Sequence, residues 1–327
     1  MSQKTTSPAI PAKPLIVLGV CLALLGGIGS WLFFGRETAI PCNGLPDNKR
    51  VQKSLGAAMQ PGMSCTAVGD AIVKATTGSE PGRHTQPQTQ ALKDVLFALG
   101  LADSDDLTLD PALRVPLATA LADYAPDVHE MLAGLDSDYV INADETDPPW
   151  EEGGTYHLAV YNTFFRDIVR AIAQDPQAYA TLRMAETRYG AQQLAAVPTG
   201  ASGYSLSLPP TANARAFGIL DGIADAVYRS QDTQQAQKWR STVWDLLLNE
   251  QAAPRAYQDD PVGHLTATWL HELRNTPKDD RPDRLRTQGV DMARAWLQAR
   301  NADEQTQKGL LAKVERSALS AYREIKP

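Results

Sequence analysis

Apolar residues recur three and four positions apart through most of this chain of 327 residues. Such spacing covers one face of an α-helix, which turns once in about 3.6 residues. One clear stripe consists of Phe164, Phe165, Ile168, Val169 and Ile172. Strand-like segments are found only at Tyr139–Ile141 and Ser205–Leu208. The pattern therefore predicts an all-α fold for the soluble part.

Residues that start helices fall between these stripes. An aspartate that can cap a helix stands before a proline suited to the first turn at Asp110-Pro111, Asp175-Pro176 and Asp260-Pro261. We predict about twelve helices, at residues 49–60, 64–76, 87–100, 110–124, 127–133, 154–174, 176–195, 211–229, 232–250, 261–275, 283–300 and 303–324.

An apolar run over residues 15–34 contains twenty residues without a charge. As a helix it would span the hydrocarbon core of a bilayer, about 30 Å thick. A cleaved signal peptide is the alternative, but its apolar region would be shorter, about 7–15 residues. We therefore predict an uncleaved transmembrane helix after a cytoplasmic tail of residues 1–14. Small residues at Gly19, Ala23 and Gly27 form a stripe that favours a dimer through this helix.

Two of the three cysteines, Cys42 and Cys65, follow this run and lie 23 positions apart. In an oxidising compartment such a pair forms a disulfide, worth about 3 kcal/mol for a loop of this length. The chain contains no Asn-x-Ser/Thr sequence, which favours a bacterial secretory protein. We predict a single-pass protein of the bacterial inner membrane with its C-terminal domain in the periplasm.

The composition suggests three segments within the soluble part. Residues 36–76 are predicted to form a small disulfide-bearing helical hairpin, residues 77–90 a linker, and residues 91–327 the main all-helical domain. The net charge of −7 gives no basic field for nucleic acid. Acidic residues are concentrated between residues 103 and 152, where fourteen Asp or Glu accompany one basic residue, Arg114.

Known catalytic motifs are incomplete in this sequence. His129-Glu130 and His271-Glu272 begin like a zinc-protease helix, but Ala133 and Asn275 stand where the second histidine is required. Ser202 lies between glycines but lacks the strand-turn-helix context of a nucleophile elbow. We therefore predict no metal and no cofactor.

The acidic segment of residues 136–152 is the one group of residues whose composition suggests a specific chemical role. Its seven carboxylates belong to Asp136, Asp138, Asp144, Glu145, Asp147, Glu151 and Glu152. An irregular calcium site, a solvated loop and a recognition surface are all compatible with this composition. In a recognition surface, Tyr139 and Trp150 would anchor a partner, and Asp144, Glu145 and Asp147 would steer it.

A glycan hydrolase is the alternative for the same segment. Glu151 or Glu152 would serve as the general acid, near Trp150 and His157. The prediction for the whole chain is a membrane-anchored helical binding protein for a protein partner that is basic. It would be an immunity protein that inhibits a periplasmic toxin, or an accessory component of an envelope secretion machine. A cell-wall glycan hydrolase resembling a lytic muramidase is the second hypothesis.

Overall fold

The structure is a computed structural model that describes residues 41–100, 107–249 and 255–325. The predicted transmembrane helix at residues 15–34 and its stripe of Gly19, Ala23 and Gly27 lie outside these ranges. Within them, no helix combines the length and the apolar character needed to cross a bilayer.

The predicted all-α fold is confirmed, with fourteen α-helices in the described ranges. They are α1 (Lys49–Leu55), α2 (Cys65–Thr76), α3 (Gln86–Gly100), α4 (Pro111–Asp123), α5 (Ala125–Ala133), α6 (Ser137–Ile141), α7 (Asn162–Ile172), α8 (Pro176–Ala196), α9 (Gly203–Ser230), α10 (Thr233–Leu248), α11 (Pro261–Asn275), α12 (Arg281–Arg286), α13 (Gln288–Ala299) and α14 (Glu304–Glu324). Short 3-10 turns lie at Pro41–Asp47, Gly56–Ala58 and Lys278–Asp280.

The predicted caps are formed. The carboxylates of Asp110, Asp175 and Asp260 accept hydrogen bonds from backbone N–H groups in the first turns of α4, α8 and α11. Each cap satisfies a donor that the helix itself leaves without a partner. Local sequence signals therefore determine where these three helices begin.

The two largest errors in the predicted boundaries are at the starts of two helices. The predicted helix at 154–174 begins instead at Asn162, because Gly153 and Gly154 adopt positive φ and turn the chain into a hairpin. The hairpin joins β1 (Trp150–Glu152) to β2 (Thr155–His157) as an antiparallel pair. The predicted helix at 211–229 begins earlier, at Gly203, and continues through Pro209 and Pro210; Pro210 is buried.

One hydrophobic cluster runs from Cys42 to Ile325. Helix α9 is central in it and contacts α5, α8, α13 and α14, while α8 also contacts α4, α10 and α11. Helices α1 and α2, in the segment predicted as a separate hairpin, pack against α3 and α4, and residues 41–327 form one compact unit. Burial of this cluster is the main stabilising contribution to the fold.

The predicted disulfide between Cys42 and Cys65 is confirmed, with the two Cα atoms 5.0 Å apart. It joins the 3-10 turn Pro41–Asp47 to the first residue of α2. Asn43, beside it, donates to the carbonyl of Thr108 at 2.7 Å and accepts from the N–H of Asp110 at 2.8 Å. The disulfide therefore holds a turn that also supports the start of α4.

Helices α9 and α14 approach each other closely at two glycines of α9. A Cβ added to Gly218 would lie 2.4 Å from the carbonyl oxygen of Ala318, and one added to Gly222 would lie 2.8 Å from Ile325. Only a residue without a side chain allows this backbone contact.

A buried charged network lies where α8, α9 and α13 meet. Arg183 is fully buried and forms an ion pair with Asp221. Its guanidinium also donates to Gln288 Oε1 at 2.8 Å and to the Leu285 carbonyl at 2.7 Å. Because each nitrogen of the guanidinium has an acceptor, the cost of removing the charge from water is partly offset.

Candidate functional site

The acidic segment folds into the short helix α6 and the β1–β2 hairpin. Asp136 caps α6 by accepting the N–H of Asp138 at 2.8 Å. The hairpin lies against the chain before α3, where the Tyr156 N–H donates to the His84 carbonyl at 3.0 Å. The predicted site residues therefore lie on regular secondary structure.

A buried carboxylate, Asp127 of α5, brings three of the predicted site residues together. It accepts the Tyr139 hydroxyl at 2.6 Å and His157 Nδ1 at 2.7 Å. The Trp150 ring stacks on the His157 ring with centroids 5.3 Å apart, and meets the Tyr139 ring edge-on at 5.0 Å. Tyr139 is buried, so it supports this cluster and is not exposed as an anchor.

Asp127 contributes to the pKa shifts of both residues that bond to it. Burial lowers the pKa of His157, but the hydrogen bonds and charges of Asp127 and Glu152 together outweigh it, so the pKa is raised above its ordinary value. Burial, together with Asp127, raises the pKa of Tyr139 and keeps its hydroxyl protonated as a donor. The cluster thus attaches α6 and the hairpin to α5.

The carboxylates predicted to steer a partner have partners within the chain. Glu145 forms an ion pair with Arg50 of α1, and Arg50 Nη2 also donates to the Glu145 carbonyl at 2.6 Å. Asp144 accepts the Tyr161 hydroxyl at 2.6 Å, which with Thr146 lowers its pKa to about 2. Asp147 accepts the N–H of Asp144 at 3.2 Å.

A buried lysine lies near these carboxylates. Lys93 of α3 donates to the Asn142 carbonyl at 2.9 Å. Burial lowers its pKa to about 8, while the charges of Asp147 and Asp144 act in the opposite direction. The ammonium group is thus an internal counter-charge for the acidic segment.

Glu151 and Glu152, the predicted general acids, are both exposed on the hairpin. A carboxylic acid that remains protonated near neutral pH needs apolar surroundings, as in known glycan hydrolases. Neither side chain has such surroundings. The geometry therefore gives no support to the glycan hydrolase hypothesis.

Four apolar side chains around α6 are instead exposed to solvent. The exposed fractions are 46% for Leu135, 60% for Val140, 70% for Ile141 and 47% for Tyr161. We call these four residues the α6 patch. Tyr161 lies close to the chain that follows α6, since its hydroxyl donates to Asp144, three residues after Ile141. Gly134, before Leu135, lies against the Asn162 side chain, next to Tyr161.

Three carboxylates belong to the same segment of the chain as this patch. Asp138 on α6 is exposed, and Asp136 and Asp144 are half-buried beside it. An apolar centre with a charged rim is the usual anatomy of a protein-binding surface. The sequence contained this signal in the two consecutive β-branched residues Val140 and Ile141, which the strand-like pattern obscured.

Two further histidine–carboxylate pairs lie on α5 and at the end of α4, and no motif in the sequence indicates either. His129 lies against Glu186 of α8, and both side chains are buried. His84 Nε2 lies 3.0 Å from Asp123 Oδ2 at the end of α4. The first pair also explains the His129-Glu130 sequence, since His129 has a structural partner. In the part of the chain that the structure describes, no cluster of three or more histidine, cysteine or acidic side chains could hold a metal ion.

A groove of about 850 Å³ lies beside the N-terminal end of α5. One wall is α8, from Gln177 to Gln192, and the other is formed by α2, α4 and the start of α5. The patch follows the C-terminal end of α5 and the groove includes its N-terminal residues Ala125 and Pro126. The two are therefore separate surfaces.

No family model matches this chain, and no curated protein or solved structure shows significant similarity to it.

Proposed function

We propose that this protein is a membrane-anchored, extracytoplasmic binding protein that holds a basic partner protein on the α6 patch. The single observation that carries the proposal is the exposure of Val140 and Ile141, at 60% and 70%, on a helix rimmed by carboxylates. Exposing two adjacent large apolar side chains has a solvation cost that a binding partner would remove.

Charge determines the kind of partner. Acidic residues outnumber basic ones by fourteen to one between residues 103 and 152, and the whole chain carries −7. A partner that presents lysine or arginine around an apolar centre would be attracted, and its association would slow with added salt. An anionic membrane surface would be repelled by the same carboxylates.

The location is part of the proposal. The uncharged run at residues 15–34 would be the anchor, and the disulfide between Cys42 and Cys65 supports an oxidising compartment. A C-terminal alkaline phosphatase fusion should be active in bacteria. Activity only from a cytoplasmic reporter would contradict this location.

Site-specific photo-crosslinking tests the binding surface. A photoreactive amino acid is placed at Ile141, and a control one at Leu319 of α14, which is 46% exposed and lies far along the chain. In the intact cell, position 141 should give one protein adduct and position 319 should not. The identity of the adduct then separates a toxin that is inhibited from a component of an envelope machine.

A charge-reversal variant tests the electrostatic part of the proposal. Asp138→Lys places a positive charge at an exposed position beside the patch. The structure describes no hydrogen bond of the Asp138 side chain that this change would remove. It should reduce the yield of the adduct, and added salt should have the same effect on wild type. Equal yields at positions 141 and 319, or adducts with lipid alone, would contradict the proposal.

A further inference from the structure

One Asn-Gly pair occurs in the chain, at Asn43-Gly44, directly after Cys42 of the disulfide. Glycine after asparagine leaves its own backbone nitrogen open to approach, because no Cβ shields it. That nitrogen can attack the side-chain Cγ of the asparagine and expel the amide nitrogen as ammonia. The other seven asparagines are each followed by a residue with a side chain. Asn43 is therefore the asparagine whose sequence most favours this reaction.

The folded turn holds the two reacting groups apart. Asn43 adopts φ 54° and ψ 26°. Closing the five-membered imide ring requires the Gly44 nitrogen to lie on the same side of the Cα–C bond as the Asn43 Cβ. At the observed ψ this nitrogen points away from Cβ. The attack cannot begin from this conformation, since the reacting atoms must first be brought into contact.

Both polar atoms of the Asn43 side chain are engaged as well. Nδ2 donates to the Thr108 carbonyl at 2.7 Å, and Oδ1 accepts the Asp110 N–H at 2.8 Å. These two bonds fix the side chain against the start of α4. The amide group cannot turn toward the Gly44 nitrogen while both bonds are kept.

The disulfide holds the turn in this conformation. Cys42, Asn43 and Gly44 have positive φ angles of 53°, 54° and 71°. The left-handed region is disfavoured for cysteine by roughly 1–2 kcal/mol, whereas asparagine and glycine adopt it more readily. Buried Cys42 is kept there because its Sγ is bonded to Cys65 of α2. Breaking that bond would let Cys42 return to an ordinary backbone conformation and would free Asn43 with it.

We propose that Asn43-Gly44 is a modification site controlled by the disulfide. The site is protected while Cys42 and Cys65 are joined, and Asn43 converts to aspartate and isoaspartate once a dithiol has reduced them. This site lies in the turn Pro41–Asp47, apart from the α6 patch, and does not depend on the function proposed for that patch.

The two steps balance without a further reactant except water. In the first, the dithiol is oxidised to its own disulfide while both cysteines become thiols. In the second, the Gly44 nitrogen loses its proton and bonds to Asn43 Cγ, and the Cγ–Nδ2 bond breaks as ammonia leaves. Water then opens the imide at one of its two carbonyls, which gives aspartate or isoaspartate.

The modification persists after the disulfide has re-formed. A carboxylate at position 43 places an oxygen against the Thr108 carbonyl, where the amide nitrogen now donates. Two acceptors that face each other leave the hydrogen bond unmade. Isoaspartate also adds a methylene group to the main chain. Reoxidation therefore restores the disulfide but not the original contact with the start of α4.

The experiment follows Asn43 by peptide mass spectrometry in the full-length chain, held in detergent micelles at mildly alkaline pH. Oxidised protein, protein kept reduced by dithiothreitol, and the double variant Cys42→Ser, Cys65→Ser are compared with a reduced synthetic peptide of residues 39–47. We expect the oxidised protein to deamidate at least tenfold more slowly than the peptide. The reduced protein and the double variant should approach the rate of the peptide.

Circular dichroism shows whether each sample stays folded. Sucrose, which favours the compact state, is added to all samples if either disulfide-free protein melts near the incubation temperature. The comparison is then still made between folded proteins that differ in the disulfide alone.

Two aspartate variants form a matched pair for the effect of the product. Asn43→Asp removes the donor to Thr108 and should lower the melting temperature of the oxidised protein. Asn48→Asp is the control, because Asn48 Oδ1 accepts the N–H groups of Arg50 and Val51 at 3.0 and 3.2 Å. Aspartate keeps that cap, so N48D should melt as wild type does or higher.

Three results would overturn the inference. Oxidised protein that deamidates at the rate of the peptide would show that the turn gives no protection. Folded, reduced protein that stays as protected as the oxidised form would show that the disulfide is not the control. Equal melting temperatures for N43D and N48D would show that the bond to Thr108 does not support the turn. Failure of the photo-crosslinking experiment at Ile141 would leave these results unaffected.

Discussion

Nδ1 of His157 lies 2.7 Å from Oδ1 of Asp127, thirty positions earlier in the chain. The carboxylate side chain is only 4% exposed and the imidazole 16%. This contact joins the end of the hairpin to α5, and Tyr139 adds a second donor to the same oxygen. The charge state of His157 therefore affects how firmly the predicted site residues are held.

The raised pKa of His157 predicts a pH-dependent stability. A group whose pKa is higher in the folded state stabilises the fold fully below its unfolded pKa, about 6.5. That contribution is lost as the pH rises through the folded value. We expect the difference in unfolding free energy between wild type and His157→Gln to be larger at pH 5.5 than at pH 8.5, by urea denaturation. The same change at exposed His271, which contacts Asn275, is the control; a pH-independent H157Q difference would contradict this prediction.

The contact between α9 and α14 predicts opposite effects for two glycine substitutions. Gly218→Ala would push Cβ toward the Ala318 carbonyl and should destabilise the fold by about 1–3 kcal/mol. Gly309→Ala, at an exposed position of α14 with nothing within 4 Å, should stabilise it by about 0.5–1 kcal/mol. Thermal denaturation of both variants measures this. A stabilised G218A would show that the helices do not approach as described.

Removing the disulfide should lower stability without changing helicity. The double variant Cys42→Ser, Cys65→Ser should lose about 3 kcal/mol of unfolding free energy, chiefly because the unfolded chain gains freedom. A reducing agent should lower the melting temperature of wild type and leave that of the double variant unchanged. An equal response of both proteins to the reductant would contradict a structural role.

The buried pair of Arg183 and Asp221 predicts a non-additive result. Arg183→Met leaves the Asp221 carboxylate without its charged partner and should cost about 3–5 kcal/mol. Adding Asp221→Leu removes that isolated charge, so the double variant should be more stable than R183M alone. Chemical denaturation of the single and double variants tests this. A double variant that loses the sum of both single effects would contradict the coupling.

Most of the fold was predictable because its signals are local. Asp110, Asp175 and Asp260 cap their helices as expected, since each cap depends on neighbouring residues only. The helix at 154–174 was mispredicted for the opposite reason. Residues after Gly154 pair with β1 and with the His84 backbone, and such distant contacts leave no periodic signal.

The candidate site was only partly predictable. Tyr139 and Trp150 were predicted as binding anchors and His157 as part of the alternative hydrolase site. The structure brings the three together through Asp127, which lies in a different helix. Its role depends on burial, which a single aspartate in a sequence does not reveal. The exposure of Val140 and Ile141 likewise depends on Tyr139 facing inward.

Arg50 binds both the side chain and the carbonyl of Glu145, 95 positions further along. It also lies 2.5 Å from Asp94. Arg50 and Glu145 therefore contact each other in the fold, although they are far apart in the sequence. In proteins that share this fold we expect the two positions to covary, with loss of the guanidinium accompanied by loss of the carboxylate. The same pairing holds the backbone of the acidic segment in place. Sequence changes in α1 would therefore limit which partner proteins could come to bind the α6 patch.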